Sequence, residues 1–240
     1  MKTFLIVLIL KISLPAIAQD TTLIITNGKT VQGNFIQPYH KQFNLFKIKD
    51  GVEEKTGTLI DEYKVLKESG VQFGLRLVHI KLASFEILDS GCVNAKTLQP
   101  IYHRSHQTNK TIALDFKNNG VFGKVTSGAN RDTINLTYDA PFFDSYFENF
   151  IAAGVPLKKD FTFKFAEFID NKTGLVWSSG QVSDYFSNKL KSKIWVVKLY
   201  ENKRGRVTTF WVDSKRQILQ WEYNFNGNIS RTRLEGVDQI

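Results

Sequence analysis

Apolar residues along this chain recur with period two. Ile134, Leu136 and Tyr138 alternate with Thr133, Asn135 and Thr137, the pattern of a strand with one wet face. Phe161, Phe163 and Phe165 repeat it, as do Trp195, Val197 and Leu199, then Val207, Thr209 and Trp211, then Leu219, Trp221 and Tyr223. Between the runs stand short turn signals: Asn27-Gly28, Asp50-Gly51, Asn118-Asn119-Gly120, Asn171 to Gly174, Asn202 to Gly205 and Asn226-Gly227. Asn-Gly and Asp-Gly reach the positive φ angles of tight hairpins, and strands joined so closely pair antiparallel. The expectation is a long meander.

One segment follows a different period. Phe142, Phe143, Tyr146, Phe147, Phe150 and Ile151 fall on one face of an α-helix. Asp139 is placed to cap it, Pro141 suits its first turn, and Gly154 and Pro156 stop it. The pattern therefore predicts a helix over Phe142–Ile151 and a mainly β fold: a curved antiparallel sheet, or incomplete β-barrel, wrapped over one amphipathic helix. No linker composition divides the chain. A single β-rich domain over 19–240 is expected, with 70–240 as the main half-barrel. Residues 19–69 are less sharply patterned and read as its first strands, a small subdomain being the alternative.

The N-terminus gives an address. Met1-Lys2, the apolar run Phe4 to Leu10 and the small-x-small ending Ala16-Ile17-Ala18 match a secretory signal, with cleavage between Ala18 and Gln19. The apolar run is too short for a bilayer core of about 30 Å, and no later stretch is long enough either. The expected location is the periplasm or outside, in a bacterial envelope. Gln19 stands where a lipoprotein would need cysteine. Cys92 is the only cysteine, so no intramolecular disulfide can form, and a small buried apolar role is expected for it. The formal charge is +9, or 9 − 2 = +7 without Lys2 and Lys11. The cationic residues are dispersed; even Lys203-Arg204-Gly205-Arg206 reads as a solvated hairpin turn, and no nucleic-acid partner is expected.

The chemistry-bearing residues form no recognisable reaction centre. His103 and His106 lie three apart, which in a strand places them on opposite faces, so they cannot chelate together, and no metal is expected. Ser178-Ser179-Gly180 sits within a strand pattern rather than at a nucleophile elbow. Asp144 and Glu148 fall on the polar side of the expected helix, where solvation is the ordinary role. No phosphate loop or dinucleotide fingerprint implies a cofactor. The distinctive feature is aromatic: 19 Phe, 8 Tyr and 4 Trp make up 13% of residues. Such rings either fill a core or line an apolar cleft.

The order Asp89, then Asn94-Ala95-Lys96-Thr97-Leu98-Gln99-Pro100-Ile101, then His103-Arg104-Ser105 resembles a family of exported bacterial proteins of unknown function. Phe142-Phe143-Asp144-Ser145, Val155-Pro156-Leu157-Lys158 and Arg206 to Val212 extend the resemblance, which spans roughly Asp89 to Tyr223. That family's fold is similar to the LolA/LolB lipoprotein carriers, half-barrels with an apolar interior and helices as a lid; the family transfers no catalytic residues. The resemblance implies a non-catalytic binding module for an apolar or amphipathic ligand, lipid or lipoprotein-like. Phe142, Tyr146, Phe147, Phe150, Phe163, Trp195, Trp211 and Trp221 are the expected ligand contacts, with the helix as a lid hinged at Ala140-Pro141 and Gly154. The alternatives are a module pairing with an envelope protein through an exposed sheet edge, and a hydrolase acting on envelope glycan or lipid.

Overall fold

The computed structural model describes residues 23–26, 30–170 and 172–238. The signal-like segment, the Ala18–Gln19 junction and the Asn27-Gly28 turn lie outside the described residues. Fifteen strands run in chain order as β1 (Leu23–Ile24), β2 (Tyr39–Lys49), β3 (Val52–Glu68), β4 (Val71–Leu82), β5 (Glu86–Asn94), β6 (Pro100–Gln107), β7 (Lys110–Lys117), β8 (Gly120–Ser127), β9 (Asn130–Thr137), β10 (Phe143–Asp144), β11 (Thr162–Asp170), β12 (Gly174–Ser187), β13 (Ser192–Glu201), β14 (Arg206–Val212) and β15 (Ile218–Phe225), and β16 (Asn228–Leu234) makes the sixteenth. One helix, α1 (Glu148–Gly154), follows a 3-10 turn at Ser145–Phe147.

All sixteen strands belong to one sheet, built from two meanders. β2 to β9 form one and β11 to β16 the other, joined where β16 pairs antiparallel with β2. The less patterned β2 and β3 are thus the middle of the sheet, not an appendage. The hairpins turn where expected: both residues of Asp50-Gly51 and of Asn226-Gly227 take positive φ, as do Asn118 and Asn119.

The two ends of the sheet meet through side chains. Leu114, Phe116, Val121, Val125 and Ile134 of the β7–β9 end cluster with Phe142, Ala166 and Phe168 beside β10 and β11. The Phe116 and Phe168 rings pack edge to face at 6.1 Å. No backbone pairing joins β9 to β11 in the described sheet. The result is a curled, barrel-like sheet closed by an apolar seam.

The helix is shorter than its sequence pattern predicts. Phe143 and Asp144 instead pair in parallel with Glu167 and Phe168, because β11 offers an unpaired edge that satisfies their backbone groups. The cap moves accordingly: Asp144, not Asp139, accepts the Tyr146 N–H at 3.2 Å. Every residue of α1 is buried. It is therefore a plug inside the curl, not an amphipathic lid on its surface. Two glycines make room for it and its neighbours. A Cβ at Gly91 would stand 2.7 Å from the Tyr146 ring, and one at Gly180 would stand 2.1 Å from Phe163. Arg216 fastens the other end of the plug, donating to the carbonyls of Ala153 at 2.6 Å and Val155 at 2.9 Å.

The alternation at β14 has the opposite phase to the one expected. Thr208, Phe210 and Val212 are its buried set, whereas Val207, Thr209 and Trp211 face outward. Apolar residues occur on both faces of this strand, so hydrophobicity alone does not fix its phase.

Candidate functional site

Cross-strand pairing puts an unusual row on the inner face. Asp61 stands opposite Val78, Arg76 opposite Gly91 and Tyr63, and Asp89 opposite Ser105. These charged residues occupy in-phase positions among Leu59, Tyr63 and Val78. The strands therefore carry ionised groups into the core, where each needs a partner.

Arg76 is the centre of this row. Its Nε donates to Asp61 Oδ1 at 3.0 Å and its Nη2 to Asp61 Oδ2 at 2.7 Å, a two-pronged buried pair. Its Nη1 donates to the Tyr146 carbonyl, and the guanidinium lies over the Tyr146 ring at 4.8 Å. Burial opposes charge on Arg76, but Asp61 outweighs it, and the guanidinium holds its proton more tightly than usual. On the other side of Tyr146, His103 stacks at 4.5 Å. His103 Nδ1 lies 3.2 Å from Asp144 Oδ2. Burial lowers the His103 pKa, yet Asp144 and Asp89 outweigh it, so the net shift is upward. Asp89 moves the same way for a different reason: desolvation raises its carboxyl. Asp89 Oδ1 and His103 Nε2 are buried with no hydrogen-bond partner among the described residues.

A second buried cluster surrounds the start of α1. Glu148 pairs with Arg206 and accepts from Thr208 Oγ1 at 3.3 Å. Glu167 accepts from Ser178 Oγ. Desolvation, then repulsion from Glu148, pushes the Glu167 carboxyl well above its usual range. Asp144 and Glu148, expected to be solvated, are both 2% exposed. Arg206, expected in a solvated turn, is drawn inward by Glu148.

Two cavities flank this polar framework. The larger, about 380 Å³, lies among Leu45, Leu59, Val78, Ile80, Ile87, Trp221, Arg76, Asp89, Tyr146 and Tyr223. The Tyr223 hydroxyl at its wall is pushed up to about 12 by desolvation and then by Glu148. The smaller, about 260 Å³, lies among Tyr39, Lys41, Phe43, Asn149, Phe150, Ile218 and Trp221. Trp221 borders both. So does the buried ion pair, since Asp61 lines the smaller cavity and Arg76 the larger.

Of the expected contacts, Tyr146 and Trp221 line the larger cavity, and Phe150 and Trp221 the smaller. Phe147 and Phe163 are fully buried in the main core, and Phe142 belongs to the seam. Trp195 packs against the main core at its edge, with Lys193 over its ring at 3.9 Å. Trp211 is on the outer face and reaches neither cavity. Asp61, Arg76, Asp89, Lys41 and Tyr223 line the cavities without having been among the expected contacts. Their signal was a charge or a phenol in phase with apolar strand neighbours, as in Leu59-x-Asp61-x-Tyr63 and Gly74-x-Arg76-x-Val78.

His103 and His106 point to opposite faces, His103 inward opposite Leu114 and His106 outward opposite Thr111. Among the described residues no group of three or more His, Cys, Asp and Glu is arranged to hold a metal. No helix among them is long and apolar enough to cross a membrane.

No curated protein matches the chain. Among solved structures, the chain is similar to a crystallised β-barrel-like protein of the domain of unknown function DUF1849 from Brucella abortus. The TM-score is 0.56 at 10% identity, covering 88% of this chain and 99% of that one. At that identity the likeness is one of fold alone. The family described as protein of unknown function DUF3108 matches residues 55–227, from near the start of β3 to the β15–β16 turn, and so includes Arg76, Asp89, Tyr146 and Trp221. With that match spanning well over half its length, the chain belongs to the DUF3108 family.

Proposed function

We propose that this protein is a non-catalytic, exported binding module that takes an apolar or amphipathic ligand into its barrel interior. One observation carries the reading: an interior packed with aromatic rings leaves about 380 Å³ open beside Tyr146. That volume is in the range of small-molecule sites, and its walls have their composition, mainly apolar with a few fixed polar groups. The walls are preorganised, because Arg76 is held by Asp61 and by the Tyr146 carbonyl, and Tyr146 is held between Arg76 and His103. The likeness to the LolA/LolB carriers is the finer part of this proposal, and so is export to the bacterial envelope, which rests on the signal-like N-terminus.

Native mass spectrometry of protein purified from its own envelope, followed by titration with acyl chains, tests the reading. The expected result is a co-purifying adduct and saturable uptake, both weakened in Val78→Phe, which puts a phenyl ring into the larger cavity. Absence of both in the folded wild-type protein would overturn it and favour edge pairing through β9, the last strand of the sheet. Intact mass checks the export component: cleavage after Ala18 without an acyl increment is expected, and a retained Met1-Lys2 contradicts it.

A further inference from the structure

The smaller cavity has a chemistry of its own. Its floor is apolar and buried: Phe43 packs edge to face on Trp221 at 4.9 Å, and Phe150 and Ile218 complete it. Its rim is exposed at Gln37, Pro38 and Lys215. Between floor and rim stands Lys41, whose ammonium lies over the Tyr39 ring at 4.6 Å.

The charges around this space do not cancel locally. Asp61 is committed to Arg76 through both oxygens. Asp213 Oδ1 accepts the backbone N–H groups of Lys215 and Gln217, each at 2.8 Å. Arg216 is committed to the carbonyls ending α1 and stacks over Phe35 at 4.2 Å. Lys41 and Lys215 make no ion pair among the described residues. Burial lowers the Lys41 pKa even though Asp213 and Asp61 oppose the shift. Lys41 is thus a partly desolvated cation that feels Asp213 and Asp61 but forms an ion pair with neither, at the neck of an apolar hole.

We infer that this cavity is a binding site for a short alkyl chain ending in an anion, a carboxylate or a phosphate monoester. The chain would lie on Phe43, Phe150, Ile218 and Trp221, and the anion would sit between the Lys41 and Lys215 ammonium groups. Neither class of group suffices alone. An alcohol of equal length leaves Lys41 uncompensated, and a small anion without a tail leaves the floor empty.

Isothermal titration of the folded protein with decanoate, decyl phosphate, decanol, decyltrimethylammonium, acetate and inorganic phosphate tests this. An anionic amphiphile should bind about tenfold or more tighter than decanol, the scale of one desolvated charge contact. The carboxylate and phosphate arms identify which anion is preferred. Lys41→Met should erase that preference while Lys41→Arg keeps it, and Lys215→Met should weaken it less. Val78→Phe, which crowds only the larger cavity, should leave it intact. Decanol binding as tightly as decanoate, or a folded Lys41→Met with unchanged preference, would overturn the inference and leave the larger-cavity reading standing. Loss of decanoate binding in Val78→Phe would also overturn it, by moving the bound chain to the other cavity.

Discussion

The interior of this barrel divides into two regions with the same kind of residues and opposite packing. Around β11 to β14, the rings of Phe143, Phe147, Phe163, Phe165 and Phe210 are at most 1% exposed and leave no substantial space. Around β2 to β5 and β15, with Phe43, Tyr39 and Trp221 equally at hand, two cavities remain. The packed side confines its buried charges, Glu148, Glu167 and Arg206, to the start of α1, whereas the other side spreads its charged row over three adjacent strands. Asp61, Arg76 and Asp89 hold fixed positions on the inner face, and a charge that must keep its partner cannot slide to let rings close up. The aromatic side is packed by shape. The polar side is propped open by charge.

The largest expected effect breaks the packed side. Phe147→Ala or Phe163→Ala should cost about 3–5 kcal/mol in denaturant unfolding, because neither ring has a neighbouring void into which the core can relax. The propped side should break differently. Asp61→Asn strands the buried Arg76 and should cost about 3 kcal/mol, whereas Asp61→Leu combined with Arg76→Met should recover most of it. A double variant as unstable as the single one would contradict the account of the ion pair as a prop.

Enlarging a side chain sharpens the same contrast. Ala152→Leu, inside the buried plug, should lose about 1–3 kcal/mol by overpacking, while Val78→Leu, facing the larger cavity, should shift the unfolding midpoint little. Equal costs would mean that the cavity is not available space.

The smallest effect is a pH dependence. The His103 pKa is raised in the folded state, so its pairing with Asp144 stabilises fully below the unfolded value of about 6.5. That contribution is lost as pH rises through the raised folded value. His103→Gln should therefore cost more stability at pH 5.5 than at pH 8.5, read from urea midpoints at the two pH values. A larger cost at the alkaline end would reverse the assigned sign.

Much of the fold was legible because strand periodicity and turn chemistry act locally. The Phe161–Phe165 face, the Asn-Gly hairpins and the aromatic interior all followed from neighbours in sequence. Three things did not. The start of α1 depends on β11, some twenty residues later, offering an edge to Phe143 and Asp144. The phase of β14 was obscured because Trp211 sits on an outer face that also buries Val196 and Gln220. The propping row is visible only once β3, β4 and β5 are laid side by side, since Asp61, Arg76 and Asp89 are single charges in separate strands. Sequence reasoning located the rings that border the cavities, Tyr146, Phe150 and Trp221, and missed the charges that keep the cavities open.

The central claim is that the space on the propped side is binding room. Trp221 borders both cavities, whereas Trp177 is exposed and Trp195 and Trp211 are only partly buried and line neither. The direct measurement is the emission of a protein carrying Trp177→Phe, Trp195→Phe and Trp211→Phe, with Trp221 as its sole tryptophan, titrated with alkyl chains of increasing length. The account predicts a saturable change in Trp221 emission that tightens with chain length until the cavity is full. A folded protein whose Trp221 emission stays unchanged across the series would contradict it.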